Sequence, residues 1–249
     1  MFEAGFVRLR ELELRIDGLP PELDGVRIAH LSDFHLGVPS RGSRAAERAV
    51  EWVRERKPDL VCITGDLLAR PSGQERVQRL VARMPHSYVV LGNHDFADSR
   101  DPFSKPAALT TLTNATLLSD DAVHVELRGK RVELAGVDPR TWLSYKPLRF
   151  AAPDADLRIL LCHFPRAFEI VTEGRFNLIL AGHLHAGQIV LPYWRKRRLL
   201  LAHPSAQYPL GVFRQGATTM HVSPGLGTTF VPFRFFARPE ATELVLRSA

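Results

Sequence analysis

Residues 26–32 (VRIAHLS) form an apolar run that follows the turn-rich LPPELDG and leads directly into Asp33-Phe34-His35. The run reads as a strand, and two more follow the same plan. Residues 60–64 (LVCIT) form a buried strand ending at Gly65-Asp66, and residues 87–91 (SYVVL) end at Gly92-Asn93-His94-Asp95. Between them lie two segments with helical spacing. Residues 41–57 carry Ala45, Ala49, Val50 and Val53 on one face, with Pro58 as the stop; residues 74–84 carry Val77, Leu80, Val81 and Met84. A β-α-β-α-β order predicts an α/β sheet whose strand ends hold the polar residues.

The second half changes rhythm. Residues 123–127 and 131–137 alternate around Arg128-Gly129-Lys130, the pattern of a hairpin. Apolar runs at 157–162 and 176–181 end at His163 and at Gly182-His183-Leu184-His185. Short strands are expected at 188–191, 218–222 and 243–246. With no internal repeat and no linker rich in Pro, Gly or Ser, residues 1–249 read as a single domain.

The chain has 249 residues, 45% hydrophobic and 24% charged, which excludes a disordered chain, a collagen-like repeat and a disulfide-stapled miniprotein. Cys62 and Cys162 each sit in an apolar run just before a candidate ligand and read as buried strand thiols. That usage fits a reducing compartment. The net charge of +6 suits acidic partners such as phosphates, nucleic acid or anionic lipid, or else a solvated, arginine-biased surface. Residues 1–16 alternate charged and apolar positions without a continuous apolar core, so they do not read as a targeting signal. No window reaches the roughly 18 apolar residues of a membrane span. The expected location is cytoplasmic, with peripheral attachment at the inner face of the membrane open.

Five apolar runs therefore end in Asp33-x-His35, Asp66, Asn93-His94-Asp95, His163 and His183-x-His185. Strand ends on one side of an open sheet converge, so these clusters should meet. Imidazole, carboxylate and amide oxygen, without a ligating sulfur, suit borderline to hard divalent cations. Seven such residues would already exceed one tetrahedral site and suffice for two ions that share a carboxylate. Two cations about 3.5–4 Å apart acidify a shared water and so generate a nucleophile.

The ordered set Asp33-x-His35, Gly65-Asp66, Gly92-Asn93-His94-Asp95, His163 and Gly182-His183-x-His185 resembles the calcineurin-like metallophosphoesterase superfamily. The resemblance implies an α/β (α+β) sandwich: a two-sheet core flanked by helices, with a dinuclear metal site in loops at the strand ends. It implies a metal-dependent phosphoric ester or anhydride hydrolase. By that pattern Asp33, His35 and His185 hold one ion, Asn93, His163 and His183 hold the other, and Asp66 bridges them. Manganese is the first candidate metal, with iron or zinc as alternatives. The tail, with Gly187-Gln188-Ile189, Leu191-Pro192, Ser223-Pro224-Gly225-Leu226-Gly227, Pro232-Phe233-Arg234 and Arg238-Pro239-Glu240, resembles a bacterial membrane-associated branch. That branch includes UDP-2,3-diacylglucosamine diphosphatases. The chain departs from it in lacking an amino-terminal membrane segment and in carrying Pro224 where an arginine is usual.

The expected function is hydrolysis of a phosphodiester or pyrophosphate, with a lipid-linked nucleotide such as UDP-2,3-diacylglucosamine as the lead substrate. The alternatives are a soluble phosphodiesterase acting on cyclic nucleotides or nucleic acid, and a non-catalytic metal-binding scaffold. No specific nucleic-acid module is visible. His94 is left over from the ligand set and is assigned to protonating the leaving oxygen or stabilising its charge. Asp95 orients that ring, or else caps the turn. Asn114, Thr116 and Asp138-Pro139-Arg140 are candidates for a pocket rim, with Arg140 a phosphate contact or a solvated cation. Tyr193, Trp194, Arg195, Lys196, Arg197 and Arg198 combine aromatics and cations, which suits an anionic membrane surface or a basic hairpin turn. Phe230, Phe233, Phe235 and Phe236 are expected in the core, with an acyl groove as the alternative.

Overall fold

The runs ending at Asp33, Asp66 and Asn93 become three adjacent parallel strands: β2 (Arg27–Leu31), β3 (Leu60–Thr64) and β4 (Ser87–Val90). They belong to a computed structural model that describes residues 3–96, 98–105, 109–143, 151–171, 173–193, 197–201 and 204–249. Every residue of β3 is buried, as expected of a parallel strand covered on both faces. Helices α1 (Gly42–Arg56) and α2 (Gln74–Ala82) cover one face. α1 stops where Lys57 turns left-handed, its N–H returning to Val53 O, and Pro58 cannot continue the helix. Ala49, Val50, Val53, Val77, Leu80 and Val81 pack with Val61, Ile63 and Val89 beneath them. Full burial of each valine or leucine contributes about 1.5–3 kcal/mol.

Among the described residues there are two six-stranded sheets, ordered β1-β14-β2-β3-β4-β5 and β12-β13-β9-β8-β7-β6. The first is completed by β1 (Arg8–Ile16), β5 (Ala115–Leu117) and β14 (Glu240–Ser248). The second comprises β6 (Asp121–Leu127), β7 (Lys130–Gly136), β8 (Leu157–Leu161), β9 (Leu178–Ala181), β12 (Gly211–Gln215) and β13 (Thr218–Val222). Ile28, Leu244 and Leu246 of the first sheet meet Leu134, Ile159 and Leu180 of the second in a shared core. The β6–β7 turn holds Arg128 and Gly129 at φ 51° and 75°, the two left-handed positions of a tight hairpin.

Sequence periodicity does not anticipate β1, which lies parallel to β14 in register Arg8↔Glu240 to Ile16↔Ser248. Its charged positions face solvent while Leu14 and Ile16 are buried, so the charge alternation at 1–16 is an edge-strand pattern. Cys62 and Cys162 are buried thiols, as expected.

The aromatic cluster differs from expectation. Phe230, Phe235 and Phe236 are exposed, and Phe233 is half-buried. In this segment Arg234 takes the inward position and anchors to backbone carbonyls, which turns Phe235 and Phe236 outward. Tyr193 ends β10 (Val190–Tyr193), which pairs antiparallel with β11 (Arg197–Leu200). Trp194, Arg195 and Lys196 and the side chains of Tyr193, Arg197 and Arg198 lie outside the described residues. Among the described residues no helix is long and apolar enough to cross a membrane.

Candidate metal centre

Each cluster sits where its strand ends and the chain must turn. Asp33 and His35 follow β2, Asp66 follows β3, Asn93 and His94 follow β4, His163 follows β8, and His183 and His185 follow β9. Asp33, His35, Asp66, His183 and His185 all have positive φ, between 46° and 74°. Non-glycine residues in this region are strained, commonly by about 1–3 kcal/mol each, and such strain concentrates at functional sites. Backbone hydrogen bonds stitch the turns together: Asp33 N–H donates to Gly65 O, His35 N–H to Asp66 O, and Gly182 N–H to His163 O, at 2.9–3.1 Å. From the other side, the N–H groups of Leu226 and Gly227 donate to Asp33 O and back this loop.

The side chains converge in two groups that share one carboxylate. Asp33, His35, Asp66 and His185 place ligand atoms within 4.8 Å of one another, as do Asp66, His163 and His183. His35 Nε2 lies 3.0 Å from His185 Nε2 and 3.4 Å from Asp66 Oδ2. His163 Nε2 lies 3.2 Å from Asp66 Oδ2, 3.1 Å from His183 Nδ1 and 3.1 Å from Asn93 Oδ1. Asn93 donates its Nδ2–H to Asp98 O, which turns the amide oxygen toward the centre.

This arrangement fits divalent cations. Ligands about 2.1 Å from an ion and at right angles stand about 3 Å apart, the spacing seen here. The donor set holds nitrogen and oxygen only. The packing around the carboxylates is tight as well: a Cβ on Gly92 would collide with Asp66 Oδ1, and one on Gly182 with Asp33 Oδ2 and Ser32 Oγ. All seven expected ligands are brought together.

The electrostatics follow from burial of opposite charges. Burial raises Asp33, Asp66 raises it further, and His163 opposes both, leaving it near 7. Burial alone would raise Asp66, yet His163, His94 and His35 hold it well below the carboxylate range. Burial pushes the His163 imidazolium down, but Asp66 and Asp33 outweigh it and bring it to about 9. Metal ligands must be deprotonated, so without an ion His163 and part of Asp33 hold protons that a cation displaces at neutral pH. Two protons are displaced below about 7, one between 7 and 9, and none above 9. Metal affinity should therefore strengthen as pH rises from 6 to 9 and then level off. Calorimetric titration in two buffers of different ionisation enthalpy reads the proton release; affinity independent of pH over that range would contradict these protonation states.

His94 is 5% exposed and its ring stands edge-on to His35, with centroids 4.6 Å apart. Its N–H backbone group donates to Asp66 Oδ1 at 2.9 Å. Asp95 does not orient the ring. Its two oxygens accept the backbone N–H groups of Leu68 and Gly92 at 2.8 and 2.9 Å, so it is the turn cap. Ser99 takes the neighbouring place instead, with Oγ 3.0 Å from His94 Nε2.

Of the rim candidates, Asn114 and Thr116 are placed elsewhere, whereas Arg140 lies beside the loop that carries Asn93 and His94. Asn114 donates to Met84 O and Thr116 bonds His86 at the first sheet's edge. Arg140 is held by both carboxylate oxygens of Asp138 and lies over the Phe96 ring at 4.1 Å. Arg234, quoted in the sequence only within a tail motif, is fully buried. Its guanidinium donates to the carbonyls of Gly227, Pro224, Ala237 and His185, and one of its nitrogens lies 2.9 Å from His185 Nδ1. Burial lowers it to about 10, so it stays charged at neutral pH.

Two clefts meet at this centre. One, of about 550 Å³, is bordered by Asn93, His94, Ser99, Arg100, His183 and Phe230. The other, of about 570 Å³, also reaches His183 and runs along Phe164, Trp142 and Tyr208. A smaller apolar pocket of about 190 Å³, between Phe103, Phe230, Val38 and Pro232, adjoins the first at Thr229 and Phe230.

Comparison of the sequence with known families and relatives points the same way. The model of the family described as calcineurin-like phosphoesterase matches residues 26–187. An uncharacterized metallophosphoesterase of Bacillus subtilis, YkuE, is 28% identical over 99% of this chain and 87% of its own length. A Danio rerio transmembrane protein with metallophosphoesterase domain is 32% identical over 96% of this chain, which spans 57% of that relative. The solved structure of Haemophilus influenzae NAD nucleotidase aligns over 81% of this chain and 50% of its own, with 15% identity and a TM-score of 0.48.

Proposed function

The chain belongs to the calcineurin-like phosphoesterase family and is a metal-dependent phosphoester hydrolase, and we propose that the bond it cleaves is a phosphodiester or pyrophosphate. The observation that carries this reading is the pair of clefts meeting at His183. A monoester extends from phosphorus on one side only and needs one of them. A diester or pyrophosphate extends on both sides.

In the proposed arrangement Asp33, His35 and His185 hold one divalent cation, Asn93, His163 and His183 hold a second, and Asp66 serves both. Such cations supply Lewis acidity that neutralises phosphoryl oxygens and acidifies water. The chain's own contribution is positional. His94 reaches the cleft beside Asn93 and is suited to hand a proton to the departing oxygen, with Ser99 fixing its ring.

A lipid-linked nucleotide such as UDP-2,3-diacylglucosamine is the substrate we favour. The Phe103–Phe230 pocket supports an apolar portion, and the wall of Trp142 and Phe164, with ring centroids 5.1 Å apart, supports a planar ring. Peripheral attachment to an anionic membrane belongs to the same proposal. It is supported by the exposed Phe230, Phe235 and Phe236 and by the transmembrane relatives. The test is hydrolysis of bis-p-nitrophenyl phosphate beside p-nitrophenyl phosphate, after metal removal and readdition of manganese. Diester turnover should exceed monoester turnover and require the metal; a preference for the monoester would overturn the reading.

A further inference from the structure

Two histidines from opposite sheets touch beneath the ligand loops. His30 of β2 and His221 of β13 are buried, at 0% and 1% exposure, with their Nδ1 atoms 2.7 Å apart. His30 Nε2 lies 2.9 Å from Thr64 Oγ1, which lies 2.9 Å from Ser32 Oγ, and Ser32 Oγ lies 3.0 Å from Thr64 O. The same carbonyl lies 2.8 Å from His163 Nδ1.

The direction of every bond in this chain is forced from its end. A carbonyl only accepts, so both Ser32 Oγ–H and His163 Nδ1–H donate to Thr64 O. Ser32 then accepts from Thr64, Thr64 accepts from His30 Nε2–H, and His30 Nδ1 accepts from His221 Nδ1–H. Four neutral groups contribute one proton to each of the four contacts. What remains is a bare nitrogen at His221 Nε2, which has no hydrogen-bond partner among the described residues. The reverse direction would strand an N–H there, and orphaned buried N–H groups are rare. Burial holds both histidines well below the ordinary imidazole range, so they stay neutral.

We infer that His221 and His30 are positioning residues for the metal centre: through Thr64 and Ser32 they lock the carbonyl that keeps the His163 proton on Nδ1 and leaves Nε2 bare for a cation. The inference rests on the metal centre and not on the choice of substrate. A ligating histidine commonly donates its second N–H to a carbonyl, and loss of such a partner costs about 10–100-fold in metal affinity. Here the partner is held by a chain crossing from one sheet to the other.

Manganese titration of the metal-free full chain, followed by electron paramagnetic resonance, tests this without reference to turnover. His221→Leu should weaken one of the two ions about tenfold and leave the other unchanged. His221→Asn keeps a donor near the Nδ1 position and should stay within about threefold of the parent. Thr64→Val cuts the chain at its middle and should behave as His221→Leu does, which covers the case in which the leucine variant fails to fold. Parent-like binding of both ions by a folded His221→Leu or Thr64→Val protein overturns the inference. So does an asparagine variant as weak as the leucine one, which would make His221 a packing residue only.

Discussion

Asp66→Asn should lower diester turnover by at least about 10³-fold and reduce bound metal from two ions to one or none. The substitution keeps the size of the side chain and removes only the charge that both ligand groups share. It also removes the main support of the His163 imidazolium, whose elevation to about 9 opposes burial and depends on Asp66 first among its neighbours. In the metal-free variant His163 should therefore titrate below 9, which a proton-detected histidine titration reads directly. Metal analysis and kinetics on the folded variant complete the test. Two ions retained with turnover intact would show that Asp66 does not serve both groups.

His94→Asn should have a different signature. His94 stands at the cleft but outside both ligand groups, so the variant should keep two ions and lose about 10²–10⁴-fold in kcat. The loss should shrink for a substrate with a good leaving group such as p-nitrophenolate, because that oxygen needs little help from a proton. A uniform loss across leaving groups would place His94 in charge stabilisation. Loss of metal with the loss of turnover would remove it from the proton-transfer role altogether.

The candidate metal ligands were legible because each follows a short, predominantly apolar strand. β3 reads LVCIT with all five residues buried, and Gly65-Asp66 can only be the turn that follows. The convergence of the five turns follows from the parallel order of β2, β3 and β4 and from the parallel pair β8–β9. Partners set by loop trajectory were not legible. Asp95 is adjacent to His94 in sequence and points to backbone N–H groups, while Ser99, five residues on, meets the ring. Arg234 sits among phenylalanines, and composition favours the aromatics as the buried set; the guanidinium wins because four carbonyls converge on it. His30 and His221 are 191 residues apart, and only the facing of two sheets brings them together. β1 was obscured for the reason edge strands often are, since its outward charges break the apolar run.

The most direct test of two cations sharing Asp66 is the activity of the metal-free chain toward bis-p-nitrophenyl phosphate as manganese is added in measured equivalents. Turnover should be absent without metal and reach its plateau at two ions per chain, with no plateau in Asp66→Asn. A plateau at one equivalent, or turnover in the metal-free protein, would contradict the dinuclear centre.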